Sequence, residues 1–258
     1  MDLRPLGTTG LKVSPVGFGA FKIGRNQKTK YAQPYDLPDQ EAVDRLLHAL
    51  LDSGITLFDT APAYGTSEER IGTFLRHSGL REQLVLCTKV GERFEAGASS
   101  WAFDRSSVDA SIDRSLRTLG VSHLDVVNVH SDGRDLEIIH QTDVLDALAR
   151  RRDQGDIRTI GFSGKTVEGH LEAMEHPAQP EVLMIELNLE DQTQLPTLEA
   201  AAARGVGLLI KKGLASGRAG PRESLQWLLA HEAISSVVIG STSARHMRAN
   251  SAVAHPTD

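Results

Sequence analysis

The sequence is short of the features that mark secreted, membrane-spanning and nucleic-acid-binding chains. Cysteine occurs once, at Cys87, which excludes an internal disulfide, and its place inside an apolar run reads as a buried structural thiol. No apolar stretch is long enough to cross a bilayer, and Met-Asp-Leu-Arg-Pro at the start is followed by no signal-peptide pattern, so a cytoplasmic location is expected. The net charge is −6 and no basic stripe is visible, which argues against nucleic acid as a partner. Internal repeats, low-complexity tracts and linkers are also missing. So is a glycine-rich phosphate loop: Gly17-Phe-Gly-Ala-Phe-Lys22 has two glycines at the right spacing and no third. Gly17 and Gly19 are read instead as easing close packing within a strand.

What is present is a regular alternation. With 258 residues, 40% of them hydrophobic, the chain suits one domain spanning residues 1–258 with a substantial core. Leu3–Leu6 and Leu11–Ser14 flank Gly7-Thr-Thr-Gly10 and read as an N-terminal β-hairpin. Eight apolar runs then follow at Val16–Phe21, Ile55–Asp59, Leu84–Val90, Leu124–His130, Thr159–Ser163, Val182–Leu187, Val206–Lys211 and Ser236–Gly240. Helical patterns separate them, at Gln40–Ser53, Ser67–Ser78, Ser107–Leu119, Thr142–Gln154, Val167–His176, Leu195–Arg204 and Pro221–His231. Continuous apolar strands are buried on both faces, and eight such units predict an α/β fold of the (β/α)8 TIM barrel type, with a doubly wound sheet as the alternative. Two longer connections, Gly24–Asp39 with Tyr31 and Tyr35, and Gly91–Arg105 with Phe94 and Trp101, read as loops over the active face. They either line a pocket or pack back on the rim. The polar tail after Val253 reads as frayed.

Asp59, Lys89 and His130 end three of the strand candidates, and Tyr64 lies just past one of them. In a parallel barrel those ends share the face where chemistry is done. Asp59 and Lys89 are expected to pair, whether as part of a site or as a salt bridge closing the barrel mouth. A phenol has an ordinary pKa near 10. A neighbouring ammonium lowers it, so Asp59, Lys89 and Tyr64 make a tuned general acid. His130 is either structural or a second hydrogen-bond donor to a carbonyl oxygen.

These residues carry a resemblance to the aldo-keto reductases. Phe58-Asp-Thr-Ala-Pro-Ala-Tyr-Gly-Thr-Ser-Glu68 resembles the family signature, Thr88-Lys89 its lysine strand and Val129-His130 its histidine strand. Gly155–Ser163 and Ile239–Ser243 with Asn250 are similar to later family segments. The resemblance implies a small-molecule carbonyl substrate, a monomer, and hydride transfer from NADPH, with NADH as the alternative, while Tyr64 protonates the oxygen. It also implies a cofactor site. Gly19, Ala20, Phe21 and Asp59 would lie near the nicotinamide and substrate, and Ser163 and Met184 would lie at the carboxamide. Lys211 would stand at the ring-stacking position. Gly213, Leu214 and Ser216 would line the pyrophosphate. Gly240, Ser241, Thr242, Arg245, His246 and Asn250 would surround the adenosine and its 2′ substituent. No metal is implied.

The chain departs from the pattern around one ring: Gly164 replaces a usual asparagine, Met184 a usual glutamine and Lys211 a usual aromatic. Lys211 could instead approach a cofactor phosphate with Lys212, or form a rim ion pair. Gly240 stands where a lysine is common and His246 where an arginine is common, leaving Arg245 or Arg218 to supply positive charge. Two other functions compete: a nicotinamide-binding regulator with little turnover, and a Schiff-base lyase with Lys89 as nucleophile. The lyase needs a neutral amine, which Asp59 would disfavour.

Overall fold

The computed structural model describes residues 2–29 and 34–254. Tyr31 and the tail from residue 255 onward lie outside them. A small antiparallel hairpin, β1 (Arg4–Pro5) and β2 (Lys12–Val13), opens the chain. There follow β3 (Val16–Gly19), α1 (Phe21–Gly24), α2 (Gln40–Asp52), β4 (Leu57–Asp59), α3 (Ser67–Ser78) and β5 (Val85–Val90). A second hairpin, β6 (Glu92–Glu95) and β7 (Ala98–Trp101), precedes α4 (Arg105–Leu119) and β8 (Leu124–His130). Next come α5 (Asp135–Gln141), α6 (Val144–Asp153), β9 (Ile157–Ser163), α7 (Val167–Glu175), β10 (Val182–Glu186) and α8 (Leu195–Arg204). The described chain ends with β11 (Gly207–Lys211), α9 (Pro221–Leu229), β12 (Ile234–Ile239) and α10 (Ala244–Val253).

Eight of these strands close a wholly parallel barrel in chain order, β3-β4-β5-β8-β9-β10-β11-β12, and β12 returns to β3 with Val237 opposite Val16. Alternation within each strand splits the apolar residues into two cores. Leu183 and Ile185 of β10 join the layer under the helices, whereas Val182 and Met184 point into the barrel beside Leu57, Cys87, Val126 and Leu209. The first hairpin adds Leu6, Leu11 and Val13 to that inner cluster. Arg4 ties the hairpin down by donating to the carbonyls of Leu229 (2.7 Å) and Ile234 (2.8 Å). A fully buried Val, Leu, Ile or Phe contributes about 1.5–3 kcal/mol, so this sorting fixes which residues can face the mouth. Helix boundaries follow capping chemistry: Asp39, Asp104 and Thr166 accept backbone N–H groups at N-termini, and Gly79, Gly120 and Gly205 end helices in the left-handed conformation.

Two expectations are corrected. The first barrel strand stops at Gly19 rather than Phe21, because the chain turns into α1 once Ala20 N–H has bonded Asp59 O (2.8 Å). The segment expected as a loop over residues 91–105 is largely the hairpin of β6 and β7, turned at Ala96 and Gly97, both with positive φ. Helices α5 and α10 add to the expected set. Gly17 and Gly19 do serve packing: a Cβ on Gly17 would lie 2.7 Å from Leu57 Cδ2, and one on Gly19 3.1 Å from Val238 Cγ1. Among the described residues no helix is long and apolar enough to cross a membrane.

Candidate active site

At the C-terminal mouth of the barrel, β4 and β5 bring Asp59 and Lys89 together, with Nζ 2.6 Å from Asp59 Oδ1 and 2.9 Å from the carbonyl of Thr60. Both side chains are almost wholly buried, at 4% and 2% exposure. Lys89 opposes burial with the Asp59 charge and its amine is held above its ordinary range, so it stays an ammonium. That removes it as a Schiff-base nucleophile. Its Nζ lies 4.8 Å from the centre of the Tyr64 ring.

Tyr64 is held by a turn that only glycine permits at two points. Ser67 N–H bonds Tyr64 O (3.2 Å) and Thr66 N–H bonds Gly24 O (3.1 Å), pressing the end of α1 against the turn. A Cβ on Gly24 would fall 2.2 Å from Tyr64 O, and Gly65 has φ +63° with Gly24 O as close. Phe21 packs edge-on against the ring, centroids 5.1 Å apart. Below the turn, Ser67 Oγ donates to Ala20 O (3.0 Å), and buried Glu68 accepts from Thr88 Oγ1 (2.6 Å). The sequence reading expected Lys89 to bring the phenol below its ordinary pKa. Burial is the larger effect: it pushes Tyr64 up to about 12 against the opposing pull of Lys89.

His130, at the end of β8, stands edge-on to Tyr64 with ring centroids 6.2 Å apart. Its Nδ1 lies 3.0 Å from Glu92 Oε2. Burial holds the imidazole below its ordinary pKa, partly offset by Glu92. Glu92 in turn is kept ionised, since its contacts with His130, Ser99 Oγ (2.6 Å) and Arg25 outweigh burial. An ionised carboxylate at Nδ1 calls for the proton there, so the neutral ring presents Nε2 as an acceptor; only the imidazolium donates from both nitrogens. Glu92 was missed because its segment was read as loop. Arg25, buried, stacks on Phe94 at 3.4 Å and lies 3.8 Å from Glu92, which pins the second hairpin to α1. Phe94 thus packs back on the rim, Trp101 stays exposed and Tyr35 lines a cavity.

Two adjoining cavities run from the mouth. The larger, about 860 Å³, is lined by Gly240, Ser241, His246 and Asn250, and also by Lys22 and Arg222. The smaller, about 400 Å³, is lined by Gly213, Leu214 and Ser216 together with Lys22 and Lys212. They share Lys22, Leu214, Ile239 and Gly240, and among the described residues neither lining contains a carboxylate. Thr242 and Arg245 are exposed and line neither, and Arg218 faces Glu190 at 3.3 Å. The cationic lining comes from Lys22, Lys212 and Arg222, and Lys22 and Arg222 share no local pattern in the sequence. Among the described residues no group of three His, Cys, Asp or Glu side chains is placed to hold a metal ion.

The three departures from the family pattern have distinct structural reasons. Gly164 has no room for a side chain: a Cβ would lie 2.7 Å from Phe162 Cε1 and 3.0 Å from both Asp135 Oδ2 and His170 Nε2. Met184 is 2% exposed in the inner barrel core, so the structure does not bring it to the cavities. Lys211 ends β11, and its Nζ donates to Ser163 Oγ (3.0 Å) and Gly164 O (2.7 Å). Among the described residues it makes no rim ion pair; Lys212 does, with Glu186.

Comparison with known proteins agrees with this geometry. A sequence model described as "Aldo/keto reductase family" matches residues 15–224. L-galactose dehydrogenase of Arabidopsis thaliana is 29% identical over 97% of this chain and 87% of its own. A solved putative aldo-keto reductase from Pseudomonas aeruginosa is 40% identical, with a TM-score of 0.89 over 98% of this chain and 93% of that one. A holo-form aldo-keto reductase from Bacillus halodurans is 25% identical, with a TM-score of 0.85 over 100% of this chain and 92% of that one.

Proposed function

The chain belongs to the aldo/keto reductase family, and from that premise we propose that it reduces a small carbonyl compound to an alcohol with a nicotinamide cofactor, Tyr64 giving the proton to the carbonyl oxygen. The observation that carries the reading is the buried Asp59–Lys89 pair set 4.8 Å beneath the Tyr64 ring at the barrel mouth. The phenol, pushed up to about 12, stays protonated at neutral pH. It can still donate, because an alkoxide forming on the substrate is a stronger base than phenolate. Lys89 steadies the phenolate left behind, and Asp59 keeps Lys89 charged and in place. His130 stands edge-on to Tyr64 beside the space for the substrate, and only its imidazolium form would donate from Nε2 to the carbonyl oxygen. The same high pKa disfavours the reverse reaction, which needs phenolate.

The residues present fit the cofactor that this chemistry requires. Among the described residues the adjoining cavities are lined by no carboxylate, Gly213 and Gly240 are in the lining, and Lys22, Lys212 and Arg222 supply positive charge for phosphates. Gly213, Leu214 and Ser216 would hold the pyrophosphate, with Gly240, Ser241, His246 and Asn250 around the adenosine. Arg222 at the larger cavity favours NADPH over NADH. Bound there, the reduced nicotinamide supplies the hydride. The name of the Arabidopsis relative, L-galactose dehydrogenase, supports a sugar among the compounds handled by this site.

The deciding measurement is NADPH oxidation with a panel of aldehydes, sugars and a quinone, for wild type and Tyr64→Phe side by side. Reduction should fall by a factor of about 10² or more in the variant, with NADPH affinity kept within twofold. Equal turnover in the two would remove Tyr64 as the acid. No turnover by wild type with any carbonyl would remove the reductase reading.

A further inference from the structure

Among the described residues Lys89, Lys211 and Lys212 stand at strand ends of the mouth, and two of these have a carboxylate partner: Lys89 has Asp59 and Lys212 has Glu186. Lys211 has none within 4.0 Å among the described residues. Its two bonds go to uncharged acceptors, Ser163 Oγ at 3.0 Å and Gly164 O at 2.7 Å. The remaining nearby carboxylate, Asp135, is committed elsewhere, accepting from Ser131, from Lys165 N–H (2.8 Å) and from both Thr166 N–H (2.7 Å) and Oγ1 (2.8 Å). The other groups facing Lys211 are Lys212, Lys89, His130 and His170, all basic, so none stabilises an ammonium.

We propose that Lys211 is a second reactive centre at the barrel mouth, a neutral amine that captures small aldehydes as an imine. The half-buried Nζ has no carboxylate partner to hold it as an ammonium, and a neutral amine can give two hydrogens to the same oxygens and keep its lone pair for attack. Burial, then the neighbouring Lys212 charge, holds Lys211 down to about 7 against the weaker opposing pull of Glu186. The lone pair forms a C–N bond to the aldehyde carbon, and the carbonyl π electrons pass to oxygen, which takes up a proton. The carbinolamine then loses water, so that amine plus aldehyde gives imine plus water with no oxidant or reductant consumed. Ser163 Oγ, 3.0 Å from Nζ, is placed to carry the proton between nitrogen and the departing oxygen. The adduct would stand one residue before Lys212, which lines the smaller cavity. The site stands independently of the reductase reading, since it needs neither Tyr64 nor a nucleotide.

The test is reductive trapping on the full chain without added nucleotide. Propionaldehyde and sodium cyanoborohydride at pH 7 would be followed by peptide mapping, with exposed Lys12 as the internal standard. A lysine of ordinary pKa is neutral in only about one molecule in 2,500 at pH 7. Alkylation of Lys211 should therefore run at least tenfold faster than that of Lys12. Because Lys211 and Lys212 are adjacent, the fast adduct should vanish in Lys211→Met and persist in Lys212→Met. Should Lys211→Met fail to fold, wild type and Lys212→Met decide the matter alone. Labelling of Lys211 no faster than Lys12, or a fast adduct found on Lys89 or Lys212, would overturn the proposal.

Discussion

Glu92 Oε2 lies 3.0 Å from His130 Nδ1, joining a surface hairpin to the end of a barrel strand. Glu92 raises the affinity of the imidazole for a proton against the lowering effect of burial. In Glu92→Gln the charge is gone while the shape is kept, so the His130 titration midpoint should move further below the ordinary value, as read by histidine NMR. Reduction should slow by about tenfold, equivalent to about 1.4 kcal/mol, because the ring loses its fixed orientation. A midpoint that does not move would show that Glu92 leaves the His130 titration untouched.

The barrel was legible because its strands are buried on both faces and so cannot avoid continuous apolar runs. Leu124–His130 and the helix at Ser67–Ser78 coincide with their expected limits for that reason. The four residues Asp59, Tyr64, Lys89 and His130 could be placed because strand ends converge in any such barrel. Glu92 could not be: β6 and β7 pair over only four residues each, and their half-exposed alternation is too short to stand out from a loop. Met184 lies in the inner barrel core, a depth along the strand that a position in a family pattern does not specify. Lys22 and Arg222 meet at one cavity from opposite ends of the chain, a relationship with no local trace.

Lys89→Met separates the two roles of the buried pair. It removes the charge that opposes burial at Tyr64, and it strands Asp59 without a partner, at a cost of about 3–5 kcal/mol in stability. Adding Asp59→Asn removes the stranded charge. The double variant should recover part of the melting temperature lost in Lys89→Met, while carbonyl reduction stays lost. Recovery of both together would mean that the pair only holds the barrel mouth shut.

Gly164→Asn restores the residue usual in the family and should harm this chain. Its Cβ would meet Phe162 Cε1 at 2.7 Å, a ring in the core that cannot swing away cheaply. The expected destabilisation is about 1–3 kcal/mol by urea unfolding. Unchanged stability would mean that Phe162 and α7 yield more readily than their packing indicates.

His170 gives stability a pH window. Burial, then the charge of Lys211, holds it down to about 4, against an ordinary 6.5. Between those values the unfolded chain binds the extra proton, so stability contributed by the neutral ring is present above pH 6.5 and is lost as pH falls toward 4. The amount is about 3 kcal/mol at 1.36 kcal/mol per pH unit. His170→Gln should flatten this part of the stability profile between pH 6.5 and 4. Parallel profiles for the two proteins would place the acid loss on carboxylates instead.

The final prediction concerns direction, and it rests on the outcome of the contest at Tyr64. If Lys89 had won, the phenol would ionise below 10 and reduction would fade in mildly alkaline buffer as the donor was lost. Burial wins instead and holds the phenol at about 12. Reduction should therefore be flat from pH 7 to pH 10, because Tyr64 keeps its proton throughout. With Tyr64 as the acid proposed above, oxidation of the corresponding alcohol would need its phenolate, whose fraction grows tenfold per pH unit below the pKa. Its kcat/KM should rise with a slope near +1 over the same window. Near pH 7 only about one Tyr64 in 10⁵ is ionised for a pKa of 12, so the reverse reaction is starved of its base where reduction has its full complement of acid. A reduction limb that breaks below pH 9 would place the Lys89 charge ahead of burial and return the enzyme to working readily in both directions.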